Sequence, residues 1–256
     1  MQDGFNSLLA WKGVGVALWF VLLFAAERWR PAAVPRLAEP GWRRLARNAA
    51  LWVANIALSP LLVVPISAFA AGQALQWRPQ WWSGGWGLAL DLVLLDFLIY
   101  WWHRANHVVP LLWRFHSVHH FDRFLDTTSA VRFHPGEVAL SALARAVIIV
   151  LLALPLSSVL TFEALVLMAA MFHHSNLRLP PRFEQALSLL VVTPSIHWVH
   201  HHRLRADTDS NYCTILSLWD RLFASRSPHR RTPDMVIGTE GREEEPVLDL
   251  LAAPFR

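Results

Sequence analysis

The chain has 256 residues, 54% hydrophobic and only 16% charged, with a formal net charge of +4. Soluble domains carry about a quarter charged residues, so this balance points to a membrane protein. Membrane topology, rather than nucleic-acid binding, then accounts for the basic excess. The single cysteine, Cys213, excludes an intramolecular disulfide framework and any paired-cysteine iron–sulfur or thioredoxin site.

Leu8 to Ala26 is almost wholly apolar and long enough to cross a hydrocarbon core of about 30 Å. Lys12 comes early and no small-residue cleavage site follows, so this reads as a retained first span and not a signal peptide. Arg28, Arg30, Arg36, Arg43, Arg44 and Arg47 then fall in a stretch broken by Pro31, Pro35 and Pro40. The positive-inside rule assigns that basic loop to the cytoplasm. Ala49 to Ala71 is a second span, kinked at Pro60 and Pro65. Residues 72–85 form an interfacial connector rich in Trp on the opposite side, and Trp86 to Trp102 is a third span. Asp91 and Asp96 lie within it. Carboxylates inside a membrane helix face the protein interior. Asp96, two turns before His103 on the same face, either orients that imidazole or bonds a neighbouring helix.

Glu137 to Leu154 and Ser158 to Phe172 are a fourth and a fifth apolar stretch, joined so closely that they must form a hairpin. Arg145 would be costly facing lipid and is expected to face the bundle or its ligand cavity. Residues 178–196 are too short and interrupted to cross, and read as an amphipathic helix on the membrane surface. The run NYCTILSLWDRLF and an acidic tail containing GREEEP, expected to be loosely ordered, close the chain. The fold class expected is all-α: an integral membrane bundle of four to five spans with a helical cap on its cytoplasmic face. Three parts follow: N-terminal spans and basic loop (1–85), a histidine-bearing region (86–225) and a polar tail (226–256).

Histidines recur at helical spacing as His103/His107, His116/His119/His120 and His197/His200/His201, with His134 and His174 between them. Positions i and i+4 share a helix face. His103 and His107 can therefore aim at one point, and His116, His119 and His120 at another nearby. Counting spans from a periplasmic start brings every cluster to the cytoplasmic side. Ten imidazoles exceed the four ligands of a zinc site and suit two metal ions with four or five nitrogens each. Imidazole binds Fe, Zn, Cu and Ni, so the ligand type does not choose the metal. The soluble di-iron motif Glu-x-x-His and the protease motif H-E-x-x-H are absent. Haem ligation would use single histidines on facing helices, not i, i+4 pairs at helix ends. His134-Pro135-Gly136-Glu137 comes close to the HPGG haem signature of cytochrome b5, but it abuts a membrane span, with no room for a separate haem domain.

The segments DFLIYWWHRANH, LWRFHSVHH, TTSAVRFHPGE, FHHSN, TPSIHWVHHH and NYCTILSLWDRLF occur in consistent order over about residues 90–225. Together they resemble the successive motifs of the fatty acid hydroxylase/sterol desaturase superfamily, integral membrane non-haem di-iron enzymes that use O2. The resemblance implies two Fe ions at the cytoplasmic mouth of the bundle. The ligands it implies are His103, His107, His116, His119, His120, His134, His174, His197, His200 and His201. Asp96, Arg132, Glu137, Asn176 and Asn211 are the candidates for side chains that support them, whereas His173, His202 and His229 are not matched as ligands. Cys213 and Ala224 stand where the family often has Gly.

The activity implied is hydroxylation of a lipid or sterol-like apolar substrate that enters from the bilayer. Desaturation is the near alternative, because both reactions begin by hydrogen abstraction. The chain has no nucleotide fingerprint, cysteine cluster or cytochrome b5 domain, so the electrons are expected from a separate ferredoxin or cytochrome b5-like donor. No nucleic-acid partner is expected. The location implied is multi-pass in a membrane, the inner (cytoplasmic) membrane if the cell is bacterial, with the active site on the cytoplasmic side. A metal transporter, the competing class, would place its ligands near the membrane midplane. Here the histidines gather at helix ends.

Overall fold

The computed structural model describes residues 2–35 and 39–256, with side chains from residue 13 onward. Arg36 of the basic loop, and the side chains of residues 8–12 in the first apolar run, lie outside them. Helices α1 (Gln2–Trp29), α2 (Gly41–Leu58), α3 (Val64–Gly72), α4 (Gly84–Val108) and α5 (Pro110–His120) come first. They are followed by α6 (Pro135–Leu152), α7 (Leu156–His174) and the shorter α8 (Pro181–Leu187), α9 (Pro194–His200), α10 (Arg205–Thr208), α11 (Leu218–Leu222) and α12 (Val247–Ala252). Among the described residues there is no strand, only isolated bridges such as Val191 with Leu216.

Four of these segments are long and apolar enough to cross a membrane: Gly41–Gly72, Gly84–Val108, Pro135–Leu152 and Leu156–His174. The first joins α2 to α3 through a π-helical turn at Ser59–Val63. Pro60 lacks the N–H that a regular turn requires, and the wider turn absorbs the defect without ending the span. Pro110 acts differently. It drives Val109 into an extended conformation (φ −92°, ψ 115°) and starts α5, so the first two histidine boxes sit on separate helices. Ala153, at φ 51°, ends α6 and turns the chain into α7, giving the expected hairpin.

Leu95, Ile149, Leu154, Val159 and Phe162 form the core between the spans. Leu18, Leu22, Leu61, Phe69, Val147 and Leu151 point outward and are exposed. Their backbones are satisfied within the helices, so these faces suit lipid.

Several expectations are revised. Arg44 does not belong to a solvated loop: it lies on α2, 3% exposed, with its guanidinium on Asp122 (2.6 and 2.9 Å), Asp126 (2.8 and 3.2 Å) and Ser129 (2.7 Å). Arg47 on the same helix pairs with Glu39 and Glu244. The acidic tail is packed, not loose. Glu244 accepts from Arg132 and from Arg47 at 2.9 Å each, and Leu250 is buried against Leu51, Val118 and Phe121. Residues 178–196 contain the seven-residue α8 and the start of α9, because the bridge at Val191 and Pro194 break the run expected to be one helix.

Candidate metal centre

The C-terminal ends of α4 and α7, the last turns of α5, and α9 meet at one end of the bundle. Each brings histidines there for a local reason. His103 and His107 occupy consecutive turns of α4, and His116, His119 and His120 the last turns of α5. His174 is the last residue of α7, and His197, His200 and His201 lie on and just beyond α9. Nine of the ten expected ligands form two groups. His103, His107, His116, His120 and His200 make one; His119, His174, His197 and His201 make the other. Within each, the available nitrogens lie within 4.8 Å of one another.

The boxes do not each aim at one point, as their spacing alone had suggested. His116 and His120 join the α4 pair while His119 faces the second group. At about 100° per residue, His119 and His120 leave their helix roughly 100° apart. The α9 box divides the same way, with His200 in one group and His197 and His201 in the other. Two boxes thus bridge both groups and set the separation between them. The His120 and His201 rings, one from each group, stack at 4.2 Å.

Most of the outward nitrogens are held. Nδ1 of His103, His119, His174 and His200 meets the carbonyls of Tyr212 (2.8 Å), Arg132 (3.1 Å), Ala170 (2.7 Å) and Ser210 (2.6 Å). Nδ1 of His116 meets Glu137 Oε1 at 2.7 Å. A carbonyl only accepts, so Nδ1 carries the proton in those four rings and Nε2 is left as a lone pair. His119 and His174 then face each other Nε2 to Nε2 at 3.0 Å, two lone pairs with no proton between them. Nε2 of His200 is buried without any partner. A cation satisfies both arrangements, and no proton is available for a hydrogen bond between His119 and His174. The residues present therefore fit metal ions. Burial first, and neighbouring imidazoles second, hold His119, His120, His197 and His201 well below the ordinary histidine range. They are neutral at pH 7, the form that binds metal.

His134 is not brought to either group. Its Nδ1 accepts from the Gly136 N–H (2.9 Å) and caps α6, while its Nε2 donates to the Leu251 carbonyl of α12 (3.1 Å), so both nitrogens are spent. Gly136 is required there, because a Cβ would lie 2.6 Å from Phe115 and 2.9 Å from His134 Nδ1.

The supporting candidates fare unevenly. Glu137 holds His116 directly. Arg132 holds His119 through its carbonyl, and its side chain ties Val118, Asn48 and Glu244 together. Asp96 touches no ligand. It accepts from the Ile215 and Leu216 N–H groups (3.2 Å each) and from Trp219 (2.8 Å), so it shapes the loop whose Tyr212 carbonyl holds His103. Asn211, at φ 52°, donates to Ile196 and sits next to the Ser210 carbonyl that holds His200. Asn176, two residues beyond His174, pairs its side chain with the Ala33 backbone.

Of the histidines not matched as ligands, His202 and His229 share Asp207 at 2.7 Å each. His173 packs its ring 3.9 Å from that of His197. The carbonyls of Tyr212, Ser210 and Ala170 were invisible to motif reasoning because a backbone acceptor leaves no mark on residue identity. The Asn-Tyr pair at 211–212 was the one available signal.

A cavity of about 270 Å³ leads from the histidines between α4, α6 and α7. His103, His116, His119, His174 and His197 line one end, and its other walls include Ile99, Phe162, Val166 and Leu167.

A family-wide sequence model described as fatty acid hydroxylase matches residues 88–225. The chain is 30% identical over 194 residues to the ornithine lipid hydroxylase OlsE of Rhizobium tropici, covering 73% of this chain and 57% of that protein. It is 31% identical over 147 residues to the alkylglycerol monooxygenase of Danio rerio, covering 57% of this chain and 32% of the relative. Against the very-long-chain aldehyde decarbonylase GL1-5 of Oryza sativa subsp. indica it is 29% identical over 183 residues, 67% of this chain and 28% of the relative. The chain thus spans less than two thirds of the length of each of these. No solved structure matches it.

Proposed function

The chain belongs to the fatty acid hydroxylase family, and on that premise we propose that it is a membrane-bound di-iron oxygenase that uses O2 to hydroxylate a C–H bond of a lipid. The observation that carries this is the pair of buried histidine groups, five and four imidazoles, with lone pairs facing one another. We assign His103, His107, His116, His120 and His200 to one iron and His119, His174, His197 and His201 to the other. Two iron ions held there would activate O2 and supply an oxidant strong enough for an unactivated C–H bond. The chain's own part is to orient five of the nine imidazoles, four through carbonyls and one through Glu137, and to offer a largely apolar cavity that ends at the histidines.

Residues 86–225 are the catalytic unit in this reading, flanked by N-terminal spans (1–85) and a polar segment (226–256). The protein is multi-pass, with its centre on the cytoplasmic side, where the arginine-rich segments lie. A separate ferredoxin or cytochrome b5-like donor supplies two electrons per turnover and docks near Arg104 and the exposed Arg114. Two relatives are named for an ornithine lipid and an alkylglycerol, which favours a polar lipid as the substrate class.

Metal analysis of protein purified from membranes, with mass spectrometry of lipid extracts from cells with and without it, tests the proposal. About two irons per chain are expected, lost in His119→Ala and His200→Ala, with a lipid about 16 mass units heavier in producing cells. A single zinc, haem absorbance, or full iron and product in both variants would refute it.

A further inference from the structure

The cavity is not uniformly apolar. Glu137, Ser141 and Arg145 follow one another at four-residue spacing on α6, and all three line it. They form a polar rail beginning at the histidines, where Glu137 holds His116 at 2.7 Å. Arg145 lies eight residues further, about 12 Å along the helix axis. There its guanidinium meets Glu163 of α7 at 3.4 Å.

Both helices are apolar enough to span a membrane, so an ion pair on them is costly and needs a reason. Packing two helices together does not supply one. A pair serving that purpose would be short and two-pronged, whereas this contact is long and leaves Arg145 Nε without a partner. A guanidinium has five N–H donors, and the Glu163 contact is the one polar contact of Arg145 among the described residues. The remaining donor capacity belongs to a side chain in the cavity wall. The Glu163 carboxylate faces this guanidinium, so a second anion beside it would meet like charge. A neutral acceptor would not.

We propose that the Arg145 end of this cavity is a recognition site for a neutral oxygen-bearing group of the substrate lipid, an ester, amide or hydroxyl, which accepts a hydrogen bond from Arg145. This rests on reading the cavity as the substrate site. It places the polar group of the substrate about 12 Å, measured along α6, from the Glu137 end where oxidation takes place. A plain hydrocarbon is then a poor ligand, and lipids are selected by the distance between their polar group and the oxidised carbon.

The test is equilibrium binding of tritiated methyl octanoate, octanoate and decane to the metal-free protein in nanodiscs, corrected for partition into protein-free nanodiscs. The wild-type protein is expected to hold methyl octanoate roughly ten- to a hundredfold more tightly than decane, the range for a hydrogen bond to a charged group. In Arg145→Met/Glu163→Met, which removes both charges of the pair, the preference should fall below about threefold. Equal binding of ester and alkane by the wild type overturns the proposal, and so does a preference that survives in the double variant. Tighter binding of octanoate than of its methyl ester overturns it as well. The wild-type comparison stands even if the double variant does not fold. Iron plays no part in the measurement, so a negative result leaves the di-iron reading standing. Failure of that reading would show instead as absent iron.

Discussion

Glu137 offers the sharpest test of how the centre is built. It is 6% exposed, Oε1 holds His116 Nδ1 at 2.7 Å, and Oε2 has no partner. His116 belongs to the five-histidine group alone, so perturbing Glu137 should weaken one metal ion and spare the other. Glu137→Gln keeps an acceptor but removes its charge. Charge-assisted hydrogen bonds are roughly twice as strong as neutral ones, so the loss is about 1 to 1.5 kcal/mol, near tenfold in affinity. Glu137→Ala leaves Nδ1 unpaired and frees the ring to rotate, which typically costs about 10–100-fold in metal affinity. Chelator-competition titration of metal-free protein with Co(II), followed by its visible absorption, should show two classes of site in both variants. One class should be unchanged and the other weakened in the order wild type, Gln, Ala. Thermal unfolding of the metal-free proteins controls for general damage. Two sites within about threefold of wild type in Glu137→Ala would refute the orienting role.

Arg44→Ala strands the buried carboxylates of Asp122 and Asp126, and should destabilise the protein by about 3–5 kcal/mol in thermal unfolding. Burial opposes charge on Asp122, yet Arg44 and Arg132 outweigh it and hold its carboxyl down at about 2, so this loss should appear at neutral pH. Ala224 sits at φ 51°, so Ala224→Gly should stabilise by up to about 1 kcal/mol, measured the same way; relief of left-handed strain exceeds the added unfolded-state freedom. The metal-free protein should lose stability as pH falls below the ordinary histidine value of 6.5, because unfolding lets His119, His120, His197 and His201 take up protons that the fold denies them. The slope should approach roughly 1.4 kcal/mol per imidazole for each pH unit, read from thermal or denaturant unfolding between pH 7.5 and 5.5. A flat profile would mean that the rings are not buried in the neutral form.

The spans, the hairpin and nine of the ten clustered histidines were legible in the chain because each is a local pattern. Apolar runs of membrane length, Pro110 between two boxes and i, i+4 histidines are read over one or two dozen residues, and hydrophobic burial and helical geometry act on that scale. Arg44 and the acidic tail were misread for the same reason. A charged stretch reads as solvated until the opposite charge that buries it arrives from elsewhere, and for Arg44 that partner is Asp122, 78 residues away.

By itself, then, the sequence determined an all-helical membrane chain with its imidazoles at helix ends, since backbone satisfaction and spacing leave little choice. Only the tertiary structure decided that each of two boxes divides between two groups, that His134 caps a helix instead of joining them, and that Asp96 supports a loop instead of a ligand. Those outcomes depend on the directions in which neighbouring helices present their side chains. A residue's identity does not carry that direction; the packing of one helix against another does.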